Sequence, residues 1–218
     1  MGPGVTSVTV ADVTADDRAL PLRERKRLRT RRALADTALR MFSEKGFAET
    51  TLEELVDAAE VSKSTFFRAF PAKEAVAIEA EAELWSAYVS AVQDRHLSGN
   101  VLGQLRDSLV ATATALPEGW DERYLATRRL VAVVPALLAY VQHYRAEVAR
   151  QVADCLADRL TIDPDDLRLH MLAELTVAAW SLAGRGWVRN GGVGGRSTLL
   201  ERLARAFDAI PASLDLTV

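Results

Sequence analysis

The chain has 218 residues, of which 49% are hydrophobic, 26% charged and 6% aromatic, and its formal net charge is −3. This composition is typical of an ordinary globular protein of one or two domains. The lone cysteine, Cys155, excludes a scaffold of intrachain disulfides and favours a reducing cytoplasm. The longest apolar run, residues 130–141, contains a proline and falls short of the about 20 residues that a membrane helix needs, so we expect no membrane segment.

Charge is distributed unevenly along the chain. Residues 23–80 carry a net charge of +2, and residues 23–32 within them hold seven basic side chains against Glu24 alone. Residues 1–22 carry −2 and residues 81–218 carry −3. One basic end on an otherwise acidic protein favours a polyanionic partner that only this end contacts, although a solvated helix start has the same pattern. Residues 1–22 lack the continuous apolar block of a signal peptide and are predicted to be a disordered lead-in.

The hydrophobic period is helical nearly everywhere, and no convincing run alternates in the manner of a strand. We therefore predict an all-α chain of about nine helices. The first is predicted to begin at about Pro21 or Arg29 and to end at Lys45, because Gly46 favours a left-handed ending. The other predicted helices cover residues 51–59, 63–70, 73–95, 101–116, 121–133, 135–160, 164–189 and 196–210.

Residues 51–70 have the length pattern of a helix-turn-helix, in which the second helix enters the major groove of DNA. In the run Thr50-Thr51-Leu52-Glu53, a threonine is followed three positions later by glutamate, which predicts a capping box at the start of the first helix. Ser62 is suited to cap the second helix. The spacing of its phenylalanines predicts Phe66 and Phe70 inside and Phe67 outside, where an aromatic ring can contact a thymine methyl group.

Five separated segments agree in order and spacing with one known family. The segments 30–34, 42–47, 50–51, 61–70 and 73–74 resemble the DNA-binding domain of the TetR family of bacterial transcription regulators. The resemblance covers about residues 25–80, and the rest of the chain matches in architecture only. It implies an all-α homodimer with an N-terminal helix-turn-helix domain and a C-terminal domain that binds a small molecule and dimerises. The predicted domains are therefore 23–75 for DNA binding, with the motif at about 51–70, and 76–218 for ligand binding and dimerisation.

Three residues depart from the pattern of the family. Glu60 stands where the turn usually has glycine, which predicts a strained positive φ. Ala69 replaces a tyrosine or histidine that contacts phosphate in many members, and Ala72 replaces the serine that usually caps the next helix. Carried over by position, the resemblance implies three groups of DNA contacts. The basic segment Arg25, Lys26 and Arg27 contacts the backbone or the minor groove, and Thr51 and Lys73 contact phosphates. The residues at the major groove are Ser62, Lys63, Ser64, Thr65 and Phe67.

The C-terminal two thirds offer two further groups of candidate residues. The middle helices mix apolar surface with a few polar groups, as ligand pockets do, although core or surface positions explain the same residues. The last two helices have broad apolar faces and small residues that allow close approach; core packing within one chain explains this pattern too, and the resemblance favours a dimer interface. The candidates for an effector are Trp120, Tyr124, Arg128, His143 and Tyr144, and those for the dimer interface are Trp180, Trp187, Leu199, Leu203 and Phe207.

The predicted function is regulatory. No nucleophile–base set and no metal-ligand spacing stands out, so we expect no enzyme activity, no metal and no cofactor. The sequence predicts a cytoplasmic, nucleoid-associated homodimer that represses transcription from a palindromic operator in double-stranded DNA and is released by a small molecule. The pair Arg128 and Arg129 favours an anionic effector, and the resemblance implies a lipophilic or acyl-CoA-like one. An activator or dual regulator, and a ligand-binding helical module that has lost DNA binding, are the alternatives.

Overall fold

The computed structural model describes residues 21–96 and 98–217, and every regular element within them is an α-helix. The predicted lead-in thus lies outside the described residues except at its last two positions. The helices are α1 (Leu22–Glu44), α2 (Leu52–Ala58), α3 (Lys63–Ala69), α4 (Lys73–Ala77), α5 (Glu79–Asp94), α6 (Val101–Ala115), α7 (Trp120–Val133), α8 (Pro135–Leu160), α9 (Leu167–Arg189) and α10 (Gly195–Leu214).

Most helix ends lie within a few residues of their predicted positions because local signals set them. Pro135 begins α8, where its missing N–H costs nothing. Thr161 ends the same helix in the left-handed region, at φ 54°. The predicted start of the next helix at residue 164 is wrong by three residues. The Asp166 side chain accepts a hydrogen bond from the backbone N–H of Arg168 at 2.9 Å, so it caps α9 and fixes its start at Leu167.

The helix predicted over residues 73–95 is interrupted, which gives ten helices in the described chain instead of nine. Buried Ile78 separates α4 from α5 at φ −105° and ψ 16°. The Thr127 hydroxyl of α7 donates to the carbonyl of Ala77 at 2.9 Å, and the Trp120 indole N–H donates to the carbonyl of Ala80 at 2.7 Å. The break is therefore stabilised by α7, whose side chains satisfy backbone oxygens beside it.

Two hydrophobic clusters form the interior. The larger is built from α5 to α10. The smaller is built from α1 to α4, and its centre includes Leu34, Leu55 and Phe66, which are fully buried. The corner between α7 and α8 inserts Leu130 and Leu137 into the smaller cluster. The helix-turn-helix end of the chain is therefore packed directly on the middle helices.

Within the described residues, no single helix has both the length and the apolar character needed to cross a membrane. One pair, Trp120–Val133 with Pro135–Leu160, meets those two criteria only when its helices are taken together, and it is bent by 116°.

Candidate nucleic-acid interface

The first helix of the motif begins with a capping box, one residue later than the predicted one, because the Thr50 hydroxyl donates to the carbonyl of Gly46 instead. The Thr51 hydroxyl accepts a hydrogen bond from the backbone N–H of Glu54 at 3.2 Å, and the Glu54 carboxylate accepts one from the backbone N–H of Thr51 at 2.9 Å. Lys45 donates to the same carboxylate at 2.5 Å, and this bond is the main reason that the pKa of Glu54 falls to about 2. The box leaves the Thr51 end of α2 exposed to solvent.

The turn between α2 and α3 is tight and strained. Glu60 has φ 53°, which confirms the positive φ predicted from its place in the turn. The N–H of Glu60 donates to Asp57 at 3.1 Å, and the N–H of Val61 donates to Val56 at 2.9 Å. Ser62 then caps α3 by accepting a hydrogen bond from the backbone N–H of Thr65 at 3.1 Å. The turn thus fixes the angle at which α3 leaves α2.

Helix α3 separates its aromatic side chains as predicted. Phe66 and Phe70 are 0% and 1% exposed, whereas Phe67 is 55% exposed. The Phe66 and Phe67 rings meet edge to face with centroids 5.5 Å apart. The buried ring therefore anchors the helix while Phe67 presents an aromatic surface to solvent.

The polar side chains at the start of α3 differ in the contacts that they make within the chain. Ser62 and Thr65 share a hydrogen bond between their hydroxyls at 3.0 Å, so both belong to the cap of the helix. The Lys63 ammonium forms an ion pair with Glu53 of α2, and this contact lowers the pKa of the Glu53 carboxyl. Ser64 is exposed and meets Arg68 only at 3.5 Å. Ser64 and Phe67 are therefore the predicted groove residues that stand most open to a partner.

Lys73 has a role within the chain that the sequence did not indicate. Its ammonium donates to the carbonyls of Phe47 at 2.7 Å and Thr50 at 2.9 Å, and it lies 4.2 Å from the centre of the Phe47 ring. It thereby fastens the start of α4 to the turn between α1 and α2. An ammonium has three donors, so a phosphate contact would use the one that remains.

A basic groove of about 580 Å³ lies between the first turns of α1 and the exposed side of α3. Lys26 and Arg27 from α1 line it, and both were predicted DNA contacts. Arg25 is half-buried, and its Nε has no hydrogen-bond partner among the described residues. Arg23 and Arg68 also line the groove, although the sequence prediction omitted them. The signal for Arg68 was its place three residues after Thr65, on the same side of α3.

The predicted effector residues separate into two environments. Trp120 and Tyr124 are fully buried, and their rings stack with centroids 4.8 Å apart. Tyr144 is half-buried. The Arg128 guanidinium contacts the buried carboxylate of Glu81. His143, in contrast, is exposed on α8. The structure therefore groups Trp120, Tyr124 and Arg128 in one region and leaves His143 outside it.

Glu81 is the functional candidate that sequence reasoning missed. Its side chain is 0% exposed and contacts the guanidinium groups of Arg128, at 3.5 Å, and Arg145. Arg145 also donates to the Ser181 hydroxyl at 2.8 Å. Burial, followed by the charge of Glu81, raises the pKa of Tyr124 to about 12, so that this hydroxyl stays neutral at physiological pH.

Comparison with known proteins identifies the relatives of the chain. Residues 34–80 match the family model described as bacterial regulatory proteins, tetR family, and residues 100–215 match the model of the MftR C-terminal domain. The HTH-type transcriptional regulator TcmR of Streptomyces glaucescens is 32% identical over 206 residues, which cover 88% of this chain and 86% of TcmR. The chain belongs to the TetR family of bacterial transcription regulators.

Two further relatives carry names of regulators. MftR of Mycobacterium tuberculosis, named for regulation of mycofactocin biosynthesis, is 27% identical over 198 residues, which cover 88% of this chain and 94% of MftR. NalD of Pseudomonas aeruginosa, described with its crystal structure as the secondary repressor of the MexAB-OprM multidrug efflux pump, is 18% identical with a TM-score of 0.48. That match covers 84% of this chain and 96% of NalD. This TetR-family chain is a DNA-binding transcription regulator with an N-terminal helix-turn-helix.

Two departures from the TetR pattern have visible consequences at the interface. Ala72, at the N-cap of α4, makes no side-chain hydrogen bond, so that helix start has no side-chain cap. Ala69 has no side-chain polar group, and its carbonyl accepts a hydrogen bond from Arg31. The end of α3 is therefore held by a side chain of α1.

The side chains predicted for the dimer interface of this TetR-family chain are packed inside it instead. A contact between two chains requires surface that is exposed in each of them, and these five side chains are at most 3% exposed. The exposed apolar side chains of α9 lie on its other side and include Leu167, Met171 and Leu182. Assignment to the core therefore replaces assignment to the interface for Trp180, Trp187, Leu199, Leu203 and Phe207.

Proposed function

We propose that this regulator acts as a homodimeric repressor that occupies a palindromic operator and leaves it when a small molecule binds the C-terminal domain. The observation that carries the proposal is the outward face of α3. Ser64 and Phe67 are exposed there, and the basic groove joins this face to the first turns of α1. A short helix with an exposed face beside a basic arm suits the major groove and the adjacent phosphates.

The proposed DNA contacts have separate roles. Lys63, Ser64 and Phe67 contact base edges. Lys63 does so after its ion pair with Glu53 is replaced by a contact with DNA. Thr51 brings the positive end of α2 to a phosphate. The basic side chains on α1 follow the backbone and supply affinity that does not depend on sequence. This group consists of Arg23, Arg25, Lys26 and Arg27, with Arg68 opposite them on α3.

A second copy of the chain is the proposed partner of α9. Leu167 is 77% exposed and Met171 is 58% exposed, and exposed Ala178 continues the same stripe. Leu182, 58% exposed, lies on the same side. We call Leu167, Met171, Ala178 and Leu182 the α9 stripe. An apolar stripe along one helix can pair with its own copy about a two-fold axis, which gives a self-complementary interface. Such a dimer presents two α3 helices to half-sites that are about 34 Å apart, one turn of DNA.

The interior offers a route from the C-terminal domain to α3. Glu81 contacts Arg128 and Arg145, and two residues earlier Glu79 contacts Arg31, which also holds the end of α3. A ligand that prefers a different placement of these charged groups changes the separation of the two α3 helices. Release of the operator then follows from the difference in ligand affinity between the two arrangements.

A mobility shift with DNA from upstream of the chain's own gene tests the function. We expect a retarded complex that a scrambled duplex fails to compete away, and protection of two half-sites in a footprint. Replacement of both Lys63 and Phe67 by alanine abolishes this preference, whereas Arg150→Ala, an exposed change on α8, leaves it intact. Transcription from the bound promoter should fall when the protein is added. Retardation of both duplexes to the same extent contradicts specific binding, and a rise in transcription contradicts repression.

A further inference from the structure

The basic groove between α1 and α3 holds positive charge that the described chain leaves without a partner. Its lining has four basic side chains against the single acidic one of Glu24. All four basic side chains are exposed, and none of them forms an ion pair within the described residues. Because such a concentration of like charge attracts anions, the groove favours an anionic occupant even when no DNA is bound. The four residues are Arg23, Lys26, Arg27 and Arg68.

The sequence that leads into this groove has the opposite charge. Residues 12–18 contain Asp12, Asp16 and Asp17 against Arg18 alone, which gives a net charge of −2. We call residues 12–18 the acidic segment. It lies outside the described residues, and the described part of the chain begins at Pro21, which itself lines the groove. The acidic segment is therefore attached at the edge of the groove.

The length of the connection allows all three aspartates to reach the groove. Asp17 precedes Pro21 by four residues and can lie up to about 14 Å from it, and Asp12 precedes it by nine and can lie up to about 32 Å from it. Arg27 follows Pro21 by six residues of helix, a distance of about 9 Å along α1. The cations on α1 are thus within the range of the acidic segment.

A short tether makes weak contacts effective. One exposed ion pair changes an equilibrium constant by about fivefold at most, so a separate acidic peptide would bind the groove poorly. A short linker, however, holds the tethered group at an effective concentration of about a millimolar or more. Three aspartates at that concentration are sufficient to occupy the groove for much of the time.

A second acidic contact on the same face supports this arrangement. Lys63, at the start of α3, forms an ion pair with Glu53 of α2. That carboxylate already occupies a cation which the proposed function assigns to DNA. Neutralisation of the DNA-binding face by the chain's own carboxylates is therefore present at one cation within the described residues.

We propose that the acidic segment lies in the basic groove of the free protein, where Asp12, Asp16 and Asp17 take the places of DNA phosphates. DNA must then displace the acidic segment, which lowers the affinity for a duplex of any sequence. The inference rests on the proposed function, in which this groove follows the DNA backbone.

Binding of the full chain to a random duplex tests the competition. The variant replaces Asp12, Asp16 and Asp17 by asparagine. The control makes the same change at three exposed aspartates of the C-terminal domain, Asp94, Asp158 and Asp165. Because three tethered charges no longer compete, the variant should bind about threefold to tenfold more tightly at low salt, whereas the control should bind like the wild type. Equal affinity of the variant and the control overturns the proposal.

The salt dependence adds a second readout. Displaced aspartates regain counterions, so log affinity should fall with log salt more steeply in the variant than in the wild type, by a slope of about 1. The advantage of the variant should therefore shrink as salt screens the contact. An advantage that stays constant at all salt concentrations contradicts an electrostatic contact.

A spin label locates the acidic segment in the absence of DNA. The label is attached at Ala15→Cys in a chain that also carries Cys155→Ala. At low salt it should broaden the amide resonances of Thr65 and Arg68 on α3, and this effect should weaken in high salt, in the asparagine variant and after addition of a duplex. The amides of α10 should be unaffected throughout. Broadening that none of these conditions changes, or higher affinity of the variant without any broadening, overturns the proposal.

Preference for the upstream DNA is measured separately. A chain that binds random and upstream duplexes equally contradicts the proposed function, while the random duplex and the spin label still decide the role of the acidic segment. A chain that prefers its upstream DNA but gains no affinity from the asparagine changes contradicts the acidic segment alone. Failure of both the wild type and the variant to bind any duplex contradicts both proposals.

Discussion

Arg31 on α1 forms a two-pronged ion pair with Glu79 at the start of α5, with both nitrogen–oxygen distances at 2.5 Å. The same guanidinium donates to the carbonyl of Ala69 and lies 4.3 Å from the centre of the Phe70 ring. Burial raises the pKa of the Glu79 carboxyl, an effect that the Arg31 charge opposes. One side chain therefore joins α1, the end of α3 and α5, which connects the DNA-binding helix with the C-terminal domain.

Arg31→Lys should weaken both stability and operator binding. A lysine keeps the charge but lacks the planar fork, so it leaves Ala69 or one oxygen of Glu79 without its donor. We expect the free energy of unfolding to fall by about 1–3 kcal/mol and operator affinity to fall with it. Denaturant unfolding and a mobility shift measure the two effects. Arg40→Lys, which changes an exposed pair with Glu44 on the same helix, is the control and should alter neither quantity. Equal behaviour of the two variants contradicts the coupling role.

Removal of the Lys73 charge should lower stability, whereas removal of the Lys63 charge should change the preference for one base pair. Lys73→Met leaves the carbonyls of Phe47 and Thr50 without a donor, so it should cost about 1–3 kcal/mol of stability and also weaken binding to any DNA. Lys63→Met breaks only an exposed pair, so it should leave stability nearly unchanged and reduce the preference for one base pair in each half-site. Thermal unfolding and binding to single-base operator variants separate these outcomes. A stable Lys73→Met protein would show that the two carbonyl contacts are dispensable.

Patterns among residues that are close in sequence predicted most features of the helix-turn-helix. The Ser62 cap depends on neighbours in sequence, so the pattern alone was sufficient, and the capping box was predicted to within one residue for the same reason. The positive φ of Glu60 was predicted from the glycine that the family usually has at this position. The break at Ile78 depends on hydrogen bonds from α7, which lies more than forty residues away in the chain. No local pattern distinguishes that break from a continuous helix.

The environment of apolar and charged residues was also harder to predict, because it depends on contacts between residues that are far apart in the sequence. Trp180 and Leu203 have the spacing of an apolar helix face, but spacing does not tell whether that face meets the same chain or a second copy. Both proved to be core residues. Glu81 gave no signal at all, because its two arginine partners lie 47 and 64 residues away.

Glu60→Gly should stabilise the protein. Glutamate at φ 53° pays a steric cost of about 1–2 kcal/mol in the left-handed region, and glycine avoids this cost but loses about 0.5–1 kcal/mol through its greater freedom in the unfolded chain. We therefore expect a gain in the free energy of unfolding of up to about 1.5 kcal/mol. Thr161→Gly, at φ 54°, should act in the same direction, whereas Ala58→Gly at the last residue of α2, which has no positive φ, should destabilise. Loss of stability at both positive-φ sites would contradict the strain assigned to them.

Glu53→Gln should strengthen DNA binding. The carboxylate of Glu53 holds the Lys63 ammonium in the free protein and places a negative charge beside the proposed groove contacts. Its neutralisation frees Lys63 and removes repulsion from phosphates, so affinity should rise for specific and random duplexes alike and become more salt-dependent. Glu44→Gln makes the same charge change at the far end of α1 and serves as the control. Titrations at several salt concentrations measure the slope, and equal slopes for the two variants would contradict a specific role for the pair.

Met171→Glu should weaken assembly of the dimer without unfolding the chain, whereas Trp180→Ala should lower the stability of each chain. Met171 is 58% exposed on the α9 stripe, so a charge there should separate the proposed dimer while each chain keeps its helical content. Trp180 is 0% exposed and packs against Trp85, Trp120 and Tyr124, so its truncation should cost about 3–5 kcal/mol of stability. Sedimentation at micromolar concentration measures assembly, and denaturant unfolding measures stability. A Met171→Glu protein that remains dimeric and binds its operator as tightly as wild type would show that the α9 stripe is not the interface.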